Sequence, residues 1–143
     1  MNIPELRERV ERGEVFAASI LGCCYLEGIE VGADYSEAFR LLSFAAEQGA
    51  SRAVGRMYAE GLGTKKDMRQ AVALFTPSAD KGEFLAQVML GRLYSRGDGD
   101  ITRNPLEAEK WYQRAAQQRE RVQDCDELAE AVSYLSKPPG TPS

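Results

Sequence analysis

Gly22-Cys23-Cys24-Tyr25-Leu26-Glu27-Gly28 recurs as Gly55-Arg56-Met57-Tyr58-Ala59-Glu60-Gly61 and again as Gly91-Arg92-Leu93-Tyr94-Ser95-Arg96-Gly97. The leading glycines stand 33 and then 36 residues apart, and self-similarity at such a spacing is the mark of a repeat architecture. A second shared block follows each copy: Asp34-x-x-Glu37-Ala38, Asp67-x-x-Gln70-Ala71 and Asn104-x-x-Glu107-Ala108. Each predicts a capping box, in which the Asp or Asn side chain accepts from the backbone N–H three residues on while Glu or Gln reaches back to the cap. Pro105 would occupy the first helical position, where its missing N–H costs nothing. Eight residues beyond each shared alanine comes another, at Ala46, Ala79 and Ala116, and Gly49 and Gly82 are placed to close the first two of these helices. Each unit therefore reads as helix A, a glycine-containing turn and helix B, with small residues where the two helices must approach closely.

The pattern A-x-x-x-L-G-x-x-Y-x-x-G, then D-x-x-x-A-x-x-W-x-x-x-A-A-x-x-G, resembles the Sel1-like repeat family, cousins of the tetratricopeptide repeats. Ala17-x-x-x-Leu21-Gly22 and Ala86-x-x-x-Leu90-Gly91 carry its first half most clearly, and Trp111 takes the bulky position of helix B, with Leu41 and Leu74 at the equivalent places. The resemblance covers roughly residues 14–119 and implies an all-α fold, a right-handed α-α superhelix (solenoid) of three hairpins. These fall at about 14–49, 50–82 and 83–119, within a single domain over 1–136. Three departures stand out. Gly49 to Gly55 is shorter than Gly82 to Gly91, so helix A of the second unit should lack most of a turn. Pro77 falls inside helix B of that unit and should kink it. Arg119 stands where the third closing glycine is expected.

A solenoid needs capped ends, because each repeat buries its face only against its neighbours. Leu6, Val10 and Gly13 predict a lone helix B ahead of the first full unit. Val122, Cys125, Leu128, Val132 and Leu135 recur at three- and four-residue steps and predict an amphipathic capping helix over about 124–136, with Asp124-x-x-Glu127 as its cap. Residues 137–143, Lys-Pro-Pro-Gly-Thr-Pro-Ser, read as a flexible Pro-rich tail.

Composition narrows the chemistry. With 143 residues, 43% hydrophobic and 28% charged, the chain suits a globular protein with one modest core. It contains no histidine, which removes the usual proton shuttle near neutral pH, the Ser-His and Cys-His pairs and any imidazole metal ligand. The formal net charge of -4 gives no whole-chain field for a phosphate backbone, so nucleic acid is not an expected partner. Cys23, Cys24 and Cys125 are odd in number, two of them adjacent, and read as reduced thiols. The charged start MNIPELRERVERGE has no apolar run of signal-peptide length and no stretch is long enough to span a membrane, so a cytoplasmic protein is expected if this is the full product.

Five motifs invite a chemical reading and receive a structural one. Gly61-Leu62-Gly63 and Gly97-Asp98-Gly99 follow no strand and lack the rest of a phosphate-binding fingerprint; they suit turns that need positive φ. Asp98, Asp100, Thr102 and Asn104 alternate like a calcium loop, but Arg103 stands where the obligatory glycine belongs, and Asn104 is a helix cap. Cys24 belongs on the buried side beside Tyr25, and Tyr25, Tyr58 and Tyr94, equivalent across the units, read as packing between helices. Ser78 and Lys81 formally match the Ser-x-x-Lys of acyl transfer, at the end of a helix and with no second signature. No catalytic residue, metal or cofactor is expected.

Helical-hairpin solenoids bind partners on a concave face lined by the A helices. At 100° per residue, Ala17, Leu21 and Tyr25, or Ala86, Leu90 and Tyr94, mark the core side. The opposite side falls on Ile20, Cys23 and Glu27 in the first unit, Arg56 and Glu60 in the second, and Met89, Arg92 and Arg96 in the third. Arginine is enriched among residues that dominate interfaces, so Arg92 and Arg96 are the expected anchors. The family resemblance implies protein–protein interaction without catalysis. A short chain of three units looks most like a bacterial protein that occupies a toxin, effector or regulatory partner, expected as a monomer and acting either as an immunity protein neutralising a secreted toxin or as a chaperone or signalling adaptor in complex assembly. Relatives linked to β-lactams carry paired, repeat-spaced cysteines that this chain lacks.

Overall fold

The structure is a computed structural model that describes residues 2–46, 50–123 and 125–136. Gly49, the Asp124 cap and the tail 137–143 lie outside the described residues. Among those, the chain forms eight helices and no strand beyond an isolated Asp98–Ile101 bridge. They are α1 (Ile3–Glu11), α2 (Val15–Glu27), α3 (Tyr35–Phe44), α4 (Ser51–Glu60), α5 (Met68–Asp80), α6 (Phe84–Arg96), α7 (Pro105–Ala116) and α8 (Asp126–Leu135). α2, α4 and α6 are the A helices and α3, α5 and α7 the B helices. The fold is all-α, as the repeat predicts. α4 has 10 residues against 13 in α2 and α6, which is the missing turn. α5 runs through Pro77 and continues to Asp80, and Gly82 follows it with φ +97°.

Two compact units divide the chain, Met1–Leu74 and Phe75–Ser143. In the first, α1 packs on α2, α2 on α3 and α3 on α4, around Leu6, Leu21, Leu41, Leu42, Val54 and Met57. Ala17, Ala18, Ala38 and Ala45 are fully enclosed there, small residues that let helix axes come together. In the second, α6 packs on α7, and α8 packs on both, around Val88, Ala108, Tyr112, Ala115 and Ala131. The repeated glycine explains the closeness. A Cβ on Gly22 would come within 2.7 Å of the Leu42 side chain, and one on Gly91 within 2.9 Å of the Tyr112 ring. The repeated tyrosines are half-buried against these cores, with Tyr58 edge-on to Phe39 at 5.4 Å.

The caps form, with one correction. Asp34 Oδ1 accepts from the Glu37 N–H at 3.1 Å, Asp67 Oδ1 from the Gln70 N–H at 3.2 Å and Asn104 Oδ1 from the Glu107 N–H at 3.2 Å. The reciprocal arm is absent from these three, because the N–H of each cap residue is already taken. Asp34 N–H donates to the Tyr25 carbonyl at 3.0 Å, Asp67 N–H to that of Tyr58 at 2.9 Å and Asn104 N–H to that of Tyr94 at 2.7 Å. Glu37 and Glu107 turn instead to Arg40 and Lys110. Each hairpin is thus clasped, backbone to backbone, by its repeated tyrosine. The first two turns close alike, with left-handed Gly28 and Gly61 after the A helix and the next N–H donating back to Cys24 and Met57. The third is one residue longer and adds the Asp98–Ile101 bridge.

The ends need a second correction. α1 forms as the lone leading helix, with Leu6 buried and Val10 half-buried. α8 buries Leu128 and Ala131, with Tyr134 and Leu135 beside them, whereas Val132 faces outward. Spacing alone placed Val132 inside because alanine at 131 adds little to an apolar stripe. Cys125 holds the cap position of α8 without a side-chain capping bond.

Candidate protein-binding face

Nearly every residue of α2 from Val15 to Leu26 is apolar, and a helix apolar all round is ordinarily enclosed. Here only one side is. Ala17, Ala18, Leu21, Gly22 and Leu26 are buried, while Phe16 is 66% exposed. Ile20 is half-buried and Cys23 and Glu27 are exposed. Phe16, Ile20, Cys23 and Glu27 follow one another at three- and four-residue steps and so form one stripe. From α4, the Arg56 guanidinium joins its charged end: Nη1 donates to Glu27 Oε1 at 2.7 Å and Nε to Glu60 Oε2 at 2.9 Å. The structure therefore brings Ile20, Cys23, Glu27, Arg56 and Glu60 onto one surface of the first unit, an apolar ridge that runs into a chain of ion pairs. Partial burial pushes the Cys23 thiol up, with Cys24 and Glu27 adding to it and Arg52 opposing.

In the second unit the predicted residues part. Met89 is half-buried and Arg96 exposed. Arg92 meets α8: its Nε and Nη2 donate to Glu130 Oε2 and Oε1 at 3.0 and 2.7 Å. The Tyr112 hydroxyl donates to the same Glu130 Oε2 at 2.7 Å, and the Tyr112 and Tyr134 rings lie 4.7 Å apart. Partial burial pushes the Glu130 carboxyl up, but the hydrogen bonds from Arg92 and Tyr112 and the Arg92 charge outweigh it, and the net direction is down. Burial, then the hydrogen bond to Glu130, drives the Tyr112 phenol well above its ordinary range. Arg92 is thus a fastener for α8 within this unit.

Sequence reading missed Phe16, Glu130 and Tyr112. Phe16 had a signal, since it stands one turn ahead of Ile20 in the same stripe. Glu130 had none, being 38 residues from Arg92 in sequence. The remaining motifs are absorbed by the fold. Gly61, Gly63, Gly97 and Gly99 all have positive φ in the turns. Asn104 caps α7, Ser78 is buried while Lys81 is exposed, and Cys24 packs against the core. Among the described residues, no group of three or more His, Cys, Asp or Glu side chains is placed to hold a metal ion, and no helix is long and apolar enough to cross a membrane.

The Sel1 repeat matches the chain three times, over residues 15–49, 50–83 and 85–119. Among solved structures, the chain is similar to a Sel1 repeat protein from Oxalobacter formigenes, with 33% identity, a TM-score of 0.70 and coverage of 92% of this chain and 94% of that one. It is also similar to a protective antigen of uropathogenic Escherichia coli strains that displays an SLR fold, with 27% identity, a TM-score of 0.76 and coverage of 90% of this chain. The chain spans 31% of the length of that antigen.

Proposed function

Because the chain belongs to the Sel1 repeat family, whose members generally mediate protein–protein interaction, we propose that it acts without catalysis, by engaging one partner protein on the outward side of its A helices. The observation that carries this is the stripe of exposed Phe16, half-buried Ile20 and exposed Cys23 on α2, edged by the Glu27–Arg56–Glu60 ion pairs. Contiguous exposed apolar surface rimmed by charge is what protein partners bury. Met89, Arg92 and Arg96 are the corresponding residues of α6, with Arg96 the exposed cation and Arg92 acting through its hold on α8. In its narrower form the proposal is a cytoplasmic monomer of a bacterium that neutralises a secreted toxin as its immunity protein; the competing form is a chaperone or signalling adaptor.

Cys23 supplies the test. A photo-crosslinker attached there, with Cys24 and Cys125 replaced by serine, should capture a protein from a lysate of the native organism, and the same group on a cysteine placed at the exposed Glu109 of α7 should not. Equal capture from both positions overturns the assignment of the face. One stoichiometric partner, toxic when expressed alone and bound at about nanomolar strength, supports immunity; several partners at about micromolar strength support the adaptor.

A further inference from the structure

The boundary between the two units falls inside α5, between Leu74 and Phe75, and each half of that helix is fastened on its own side. At its start, Asp67 Oδ1 accepts from the Gln70 N–H, the Asp67 N–H donates to the Tyr58 carbonyl, and Leu74 packs against the core of the first unit. At its end, α7 holds the last turn. Arg114 Nη1 donates to Asp80 Oδ1 and Nη2 to the Asp80 carbonyl, both at 3.2 Å, and Gln118 Nε2 donates to the Gly82 carbonyl at 2.9 Å. Gln87 Nε2, from a buried side chain of α6, donates to the Ala79 carbonyl at 3.0 Å.

In a helix that crosses this boundary, every N–H to C=O bond spanning it runs from residues 75–78 back to residues 71–74. Pro77 removes one of them, because it has no N–H to give to Ala73, and its ring crowds that carbonyl. Pro4 and Pro105 stand instead in the first turns of α1 and α7, where no helical bond is lost. The Pro77 ring is exposed, so no buried contact calls for a proline here and its effect is on the backbone. We propose that α5 flexes at Pro77 and that the two units turn against each other about this point. Hinges of this kind gather the backbone change into a few residues while the packed bodies on either side keep their form. The flexure belongs to the free chain and does not depend on which surface meets a partner. Its consequence is that the Phe16 stripe of the first unit and the exposed Arg96 of the second are free to change their separation.

The test uses the full chain with Cys24 and Cys125 replaced by serine. Spin labels go on Cys23 of the first unit and on a cysteine introduced by Glu109→Cys in the second, both exposed positions, and double electron–electron resonance gives the distribution of distances between them. That distribution should be at least about half again as wide as the one from a control pair inside the first unit, Cys23 with Ser36→Cys. Pro77→Ala returns the missing N–H without removing a buried side chain. It should narrow the distribution between the units toward that of the control and leave the control unchanged. Amide hydrogen exchange in α5 should slow at least about tenfold in the same variant while that of α3 and α7 stays as it was. With Pro77 in place, a distribution between the units no wider than the control overturns the proposal, whether or not the variant folds. A wide distribution that Pro77→Ala leaves equally wide overturns it as well, since the flexure would then lie elsewhere.

Discussion

Arg56 and Arg92 each follow the leading glycine of a repeat, yet they do different work. In the first unit Arg56 bridges Glu27 and Glu60, with all three side chains more than a third exposed. In the second, Arg92 grips a carboxylate whose side chain is 28% exposed and which also receives a tyrosine hydroxyl. The first arrangement is a surface network that water and salt weaken. The second is a partly enclosed, charge-assisted cluster that sets where α8 lies. A repeat position therefore supplies a reach and a charge. Its use depends on which partner the neighbouring helix presents to it, Glu27 of α2 for Arg56 and Glu130 of α8 for Arg92.

The difference is open to direct attack. The largest effect should come from Gly91→Ala, whose new methyl meets the rigid Tyr112 ring and, through it, Glu130. A net loss of about 2 kcal/mol is expected in urea denaturation, against about 1 kcal/mol for Gly22→Ala, where the obstacle is the more pliant Leu42. Glu130→Ala should cost about 1–2 kcal/mol, discounted for the exposure of Arg92, and should speed amide hydrogen exchange in α8 while leaving α2 and α3 alone. Acid should reproduce part of that loss. Glu130 has a depressed pKa when folded, so its contribution is complete above the ordinary carboxylate value, about 4.3, and disappears as pH falls through the lower folded value. α8 protection should therefore decline below about pH 4, and Glu130→Gln should remove that dependence. Arg56→Ala should matter least, within about 0.5–1 kcal/mol, and a loss as large as that of Glu130→Ala would erase the contrast between the units.

The parts of the fold legible in the sequence are those where a side chain, or the lack of one, is the cause. Gly22 and Gly91 announce a close crossing because any larger residue would strike Leu42 or Tyr112. Three residues fewer before Gly55 become a shorter α4. The clasp from each cap to a tyrosine carbonyl left no trace in the side chains, since both partners are peptide groups, and the capping box was credited with a second arm it does not have. The same division runs through the candidate site. Ile20, Cys23 and Glu27 follow from helical spacing, and Phe16 would have followed had the stripe been extended one turn back. That Arg92 reaches Glu130 depends on how α8 settles against α6, which local spacing does not encode.

The tyrosine clasps bear on how the chain reaches this state. Each spans only nine or ten residues, Tyr25 to Asp34, Tyr58 to Asp67 and Tyr94 to Asn104, and loops of about that size close in roughly 10–100 ns. A hairpin can thus register its two helices before any distant contact exists, and contacts of short sequence separation favour fast folding. The chain has three such starting points, none of which depends on which side chain fills the tyrosine or cap position, because amide and carbonyl alone make the bond. A lineage of such proteins can change its surfaces extensively and still begin folding in the same places.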